Sequence, residues 1–205
     1  GALCQGAMCF DVWTPSTNAH SLLLQAVTRA TDLFCSAQVV LPGGRVLLAG
    51  GDARTVDPSH ANDGVTDVNF FDPSTNQITA GPPMFSARWY GTVVPLGDGR
   101  VLTMGGIDYA GAPSGIPEIY TPAQGLGPGS WTNLTQISSW PADYLYPRAF
   151  LAPNGLVMVA SVNSLYSIDP DAPSMTQIGT LPKINWALPW ALYNRGKVLL
   201  IAEDG

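Results

Sequence analysis

"GGRVLLAGGD", residues 43–52, carries a turn glycine pair, an apolar strand and then a second glycine pair, Gly50–Gly51. "DGRVLTMGGID", residues 98–108, repeats it, and Arg100 follows Arg45 by 55 positions. Degraded copies stand at "NGLVMVASVN" (154–163) and "RGKVLLIAEDG" (195–205). Each copy is preceded by another apolar run: "AQVVLP", "GTVVPL", "RAFLAP" and "WALYN". Two apolar runs joined by a short glycine-containing turn read as a β-hairpin. The chain therefore carries four hairpins in series.

A second motif alternates with the first. "VWTPSTN" (12–18), "FFDPSTN" (70–76), "IYTPAQG" (119–125) and "SIDPDAP" (167–173) each end a strand at a proline. Proline fixes φ and lacks an N–H, so it stops a strand at a turn. The unit is then two inner strands, a loop, a third strand, a proline turn and a fourth strand. A period near 50 residues with Gly-Gly after the second strand resembles the kelch repeat, which builds four-stranded blades around a channel.

The expected fold is all-β, one kelch-type β-propeller domain over 1–205. Its blades fall near 1–30 (half), 31–84, 85–140, 141–183 and 184–205 (half). Three whole blades and two half blades suit an incomplete arc of a larger ring, with the rest of the propeller expected from further sequence. The alternative is a closed four-bladed ring formed by pairing the two half blades.

Composition excludes some classes. Charged residues make up 12% and the formal net charge is −6, with nine Lys and Arg scattered along the chain. No basic stripe is available for a phosphate backbone, so nucleic acid is not an expected partner. No apolar run reaches the ~18 residues of a membrane span. The opening "GALCQGAMCF" holds no signal-peptide core. Low charge and a sequon at Asn133–Thr135 suggest a secreted protein. Cys4 and Cys9 are near enough for a local disulfide. Spacing does not distinguish that bond from two unpaired thiols.

Cys35 has no cysteine partner in sequence reach, and by itself reads as a small buried hydrophobe. Its surroundings say more. "TDLFCSAQVVLPGGRVLLAGGD" (31–52) resembles the radical-site cysteine stretch of the copper radical oxidases, the glyoxal oxidase and galactose oxidase group. "SARWYGTVVPLGDGRVLTMGG" (86–106) resembles their "RWY" strand, and "YLYPRAFLAPNG" (144–155) a later "LYP" stretch. The resemblance implies a seven-bladed ring. It implies that Tyr90 is a copper ligand whose ring is joined by a thioether to Cys35, forming a tyrosyl radical cofactor. The substrates implied are a small aldehyde or primary alcohol and O2, with H2O2 as product. Tyr146 and Arg148 are implied substrate contacts.

The histidine ligands and axial tyrosine of that family have no match in these 205 residues, which are therefore expected to be inactive and to hold copper weakly alone. His20 and His60 stand in unrelated contexts. Strand alternation predicts Trp89 on the face opposite Tyr90, as packing rather than as a radical shield. "GGIDYAG" lacks the tryptophan that the galactose oxidase branch has after its second Gly-Gly, which favours aldehydes or small alcohols over sugars. Asp52 and Arg88 read as structural hydrogen-bonding groups. The competing reading is a non-catalytic kelch propeller that binds protein or carbohydrate partners.

Overall fold

The structure is a computed structural model describing residues 3–4, 7–24, 31–55, 57–125, 127–137, 144–184 and 189–201. Strands β1 (Leu3–Cys4), β2 (Ala7–Thr14) and β3 (Ala19–Leu24) form the first sheet. Strands β4 (Ala37–Val40), β5 (Val46–Ala49), β6 (Val68–Asp72) and β7 (Gln77–Ala80) form a four-stranded antiparallel blade. The next blade holds β8 (Thr92–Pro95), β9 (Val101–Met104), β10 (Glu118–Thr121) and β11 (Ser130–Asn133). The third holds β12 (Arg148–Leu151), β13 (Val157–Ser161), β14 (Ser164–Asp169) and β15 (Ser174–Thr180). Strands β16 (Trp190–Asn194) and β17 (Lys197–Leu200) form a final hairpin.

The repeat units thus become three whole blades and two partial ones. The four-bladed alternative is corrected: among the described residues β16–β17 is a two-stranded sheet separate from β1–β3. The arc stays open, because the hairpin's free edge finds no hydrogen-bonded partner strand there.

Blades hold together through their faces. Leu47, Ala49, Val68 and Phe70 of one blade pack with Val101, Tyr120 and Trp131 of the next. Val94, Leu102, Met104 and Ile119 pack in turn with Ala149, Val157, Val159 and Ile168. A strand sandwiched between two blades loses its polar alternation. All four residues of β9 are accordingly buried.

The inner hairpin turns follow from local chemistry. Gly44, Gly99 and Gly155 take φ of +84°, +89° and +87°, where a side chain would be strained. At the opposite rim a Cβ on Gly50 would collide with the Arg88 carbonyl. One on Gly105 would lie 2.6 Å from the Tyr144 carbonyl oxygen. The glycine pairs therefore let each blade's second strand meet the segment that enters the next blade's first strand. Those entering segments carry the candidate site.

Candidate radical site at the channel rim

Cys35, Tyr90 and Tyr146 each stand two residues before the inner strand of their blade. Each has the left-handed backbone that non-glycine residues rarely adopt, with φ of +61°, +63° and +45°. They are joined in series: Tyr90 N–H donates to the Cys35 carbonyl at 3.1 Å, and Tyr146 N–H to the Tyr90 carbonyl at 2.8 Å. Three consecutive blades thus present equivalent residues along one rim.

Buried polar groups hold these strained segments. The Asp32 carboxylate accepts the Phe34 N–H at 3.0 Å, and Ser36 N–H closes a turn onto the Leu33 carbonyl. Ahead of Tyr90, the Arg88 guanidinium donates to Glu118 at 3.0 Å and to the Gly105 carbonyl at 2.7 Å. Arg88 is 1% and Glu118 0% exposed. Burial lowers the Arg88 guanidinium's pKa, and the Glu118 carboxylate opposes that shift. Glu118 also accepts the N–H groups of Phe85 and Ser86 at 2.7 and 2.9 Å. Asp52 is fully buried and holds Arg54 and Asn62. Both residues make the structural hydrogen bonds expected of them.

The side chains converge. The Cys35 thiol is half-buried and free. Its neighbourhood raises the Tyr90 pKa above its ordinary value, and desolvation adds to the rise. Desolvation raises Tyr146 further, with Cys35 contributing. In the metal-free protein both phenols therefore stay protonated at neutral pH.

The Tyr90 ring stacks on Trp89 (centroids 3.7 Å, planes 11° apart) and on Tyr146 (4.6 Å, 24°). Two near-parallel rings this close would overlap if they shared one face. Tyr90 is therefore enclosed between them. This corrects the expected placement of Trp89. Side chains alternate only along extended backbone, and the positive φ of Tyr90 ends that alternation. Trp89 is 9% exposed, and its indole N–H meets no acceptor among the described residues.

The other candidates lie elsewhere. His20 is exposed on β3 and pairs with Asp11 at 2.5 Å. His60 pairs with Asp63 at 2.9 Å and stacks on Tyr109 at 4.1 Å. Arg148 opens β12 opposite Ala160 and is 3% exposed. Cys9 is disulfide-bonded. Among the described residues no group of three or more His, Cys, Asp or Glu is placed to hold a metal. The thiol and two phenols fit one corner of a copper site, not a complete ligand set.

Sequence reasoning did not place Tyr146 beside Cys35. The signal was present: Tyr146 follows Tyr90 by 56 positions, as Tyr90 follows Cys35 by 55.

No family model matches the chain. It is 29% identical over 170 residues to an aldehyde oxidase GLOX of Vitis pseudoreticulata, covering 74% of this chain and 28% of that protein. It is 28% identical over 182 residues to a galactose oxidase of Gibberella zeae, covering 85% of this chain and 22% of that protein. The chain thus spans about a quarter of these relatives' length. A fungal alcohol oxidase of the AA5 family, in complex with copper, shares the fold with a TM-score of 0.68 at 16% identity. That match covers 93% of this chain and 39% of the other. The relatives bear out the resemblance to the copper radical oxidases.

Proposed function

We propose that this chain carries the cysteine–tyrosine part of the active site of an extracellular copper radical oxidase. The enzyme oxidises aldehydes or primary alcohols with O2 and yields H2O2. The observation that carries the reading is the juxtaposition of Cys35 and Tyr90, which hold equivalent places in adjacent blades and are tied by the Tyr90 N–H to the Cys35 carbonyl at 3.1 Å. A propeller that only binds partners has no need of it.

Maturation joins the Cys35 sulfur to a Tyr90 ring carbon ortho to the oxygen. The S–H and C–H bonds break and a C–S bond forms. The two protons and two electrons released reduce one O2 to H2O2. The thioether sulfur then donates electron density into the phenol and makes it easier to oxidise. Trp89 and Tyr146 cover the two faces of the Tyr90 ring. Copper, if bound, would be held in part by the Tyr90 oxygen and would supply a one-electron acceptor, with imidazole ligands needed from other residues.

Two further observations support details of the reading. The Cys9 disulfide suits an oxidising, extracellular compartment. After the second glycine pair, Asp108 binds its own turn through the Ala110 and Ala112 N–H groups, and Tyr109 stacks on His60. No tryptophan follows this glycine pair, which favours small aldehydes or alcohols over sugars.

The test is oxygen uptake, with small aldehydes and primary alcohols, by this chain expressed aerobically with copper within a protein that also supplies the imidazole ligands. Copper-dependent uptake with matching peroxide is expected, and its loss in Cys35→Ala and Tyr90→Phe. Equal uptake by the variants contradicts the reading.

A further inference from the structure

We infer that His60 is a positioning residue for the Trp89–Tyr90 stack, acting as a clamp between the rim loops of two adjacent blades. The loops are residues 50–67, between β5 and β6, and 105–117, between β9 and β10. Ala37 pairs with Ala49 and Thr92 with Met104, so both loops leave their blades at the rim where Cys35 and Tyr90 enter.

The path from His60 to the stack is short. Trp89 N–H donates to the Ile107 carbonyl at 2.9 Å, and Ile107 N–H donates to the Trp89 carbonyl at 2.8 Å. The backbone that carries the indole is thereby fixed to the start of the second loop. Beyond it residues 109–113 are exposed, and a loop with few packed contacts opens readily unless it is tied. Gly64 N–H ties it from the neighbouring blade, donating to the Asp108 carbonyl at 3.0 Å. His60 adds a side-chain tie. Its ring stacks on Tyr109, with centroids 4.1 Å and planes 20° apart. Its Nδ1 lies 3.1 Å from the Tyr109 carbonyl oxygen and 2.9 Å from Asp63 Oδ2.

Both neighbours of Nδ1 are acceptors, so Nδ1 carries the hydrogen and donates to them. Asp63 therefore fixes the orientation of the ring that Tyr109 rests on. The backbone beneath is fixed as well. The Asp57 carboxylate accepts the Ser59 N–H at 2.9 Å, and the Asp57 carbonyl accepts the His60 N–H at 2.9 Å, closing the short turn Pro58–His60. Without the imidazole, the second loop loses its side-chain tie to the first blade. Ile107 then gains freedom, and the Trp89 indole shifts on the Tyr90 ring. The clamp stands on these contacts alone; its bearing on a Tyr90 radical rests on the functional reading above.

The test is fluorine NMR of the complete, metal-free protein that carries this chain, grown with fluorotryptophan. The Trp89 resonance is assigned by its loss in Trp89→Phe. His60→Ala and Tyr109→Ala are each expected to shift it toward its position in the unfolded protein and to leave the other tryptophan resonances in place. Tyr109→Phe keeps the ring and the carbonyl and is expected to leave it unmoved. A Trp89 resonance unmoved in a folded alanine variant, or moved as far in Tyr109→Phe, overturns the inference. If His60→Ala fails to fold, Tyr109→Ala decides alone. A wild-type protein without oxidase activity counts against the functional reading instead, and the fluorine resonance still decides the clamp.

Discussion

The N–H of Tyr90 donates to the carbonyl of Cys35 at 3.1 Å, across the boundary between two blades. This bond brings residues 55 positions apart into one rim. Everything proposed about the chemistry depends on that juxtaposition and on the groups that maintain it.

Arg88 maintains it most directly. Replacing it with Met leaves the Glu118 carboxylate buried without its cation. The cost of breaking a buried pair is about 3–5 kcal/mol. Urea unfolding of Arg88→Met is expected to show a loss of that order. A loss under about 1 kcal/mol, the range of surface pairs, would contradict the role given to Arg88.

Gly105 is a second dependence. A Cβ there meets the Tyr144 carbonyl and the Pro147 ring, and φ is already +64°. Gly105→Ala is expected to destabilise the protein by about 2 kcal/mol or more. It should also disturb the Tyr90–Tyr146 stack, read as a change in near-ultraviolet circular dichroism. Gly43→Ala, whose Cβ meets nothing within 4 Å, is the contrasting variant and should be close to neutral.

Val162 offers the opposite sign. It sits between β13 and β14 at φ +52°, although it is β-branched. The left-handed conformation costs an L-residue roughly 1–2 kcal/mol. Val162→Gly removes that strain but adds unfolded-state entropy. A net stabilisation of about 0.5–1 kcal/mol is expected by thermal or urea melting, and a destabilised variant would contradict it.

The turns also set an acid limit. The Ser59 hydroxyl holds the Asp57 carboxylate below its ordinary pKa, and the Ser74 hydroxyl does the same for Asp72. The Ala172 N–H lowers Asp169. A depressed native pKa gives stability that is complete above the unfolded value, near 3.9, and lost as pH falls through the native one. Stability is therefore expected to be flat from about pH 5 upward, as far as these groups decide it, and to drop below about pH 4. Asp72→Asn should weaken that drop, and an unchanged acid limb in this variant would argue against the turn bonds.

The blades were legible in the sequence because their hairpins need glycine at fixed places. Gly44, Gly99 and Gly155 mark the same turn three times, and the proline motif marks another. Cys35 and Tyr90 were singled out by the resemblance, and the structure puts them in equivalent places of adjacent blades. Trp89 was misplaced because alternation presumes extended backbone, and nothing local to "RWY" announces a positive φ at Tyr90. Glu118 was invisible for another reason. Its partners, Phe85, Ser86 and Arg88, lie 30 to 33 residues away, and only tertiary packing brings a carboxylate to them. Tyr146 stood in the right register, but its stack on Tyr90 depends on how adjacent blades turn their side chains.

The central claim is that Cys35 and Tyr90 become one covalent cofactor. Peptide mapping by mass spectrometry, on the complete copper enzyme that carries this chain, exposed to Cu(II) and air, tests it most directly. The account predicts a joined species containing both residues, lighter by two hydrogens than the sum of its two peptides and resistant to thiol reductants. Recovery of separate peptides, with Cys35 still alkylatable and Tyr90 unmodified, would contradict it.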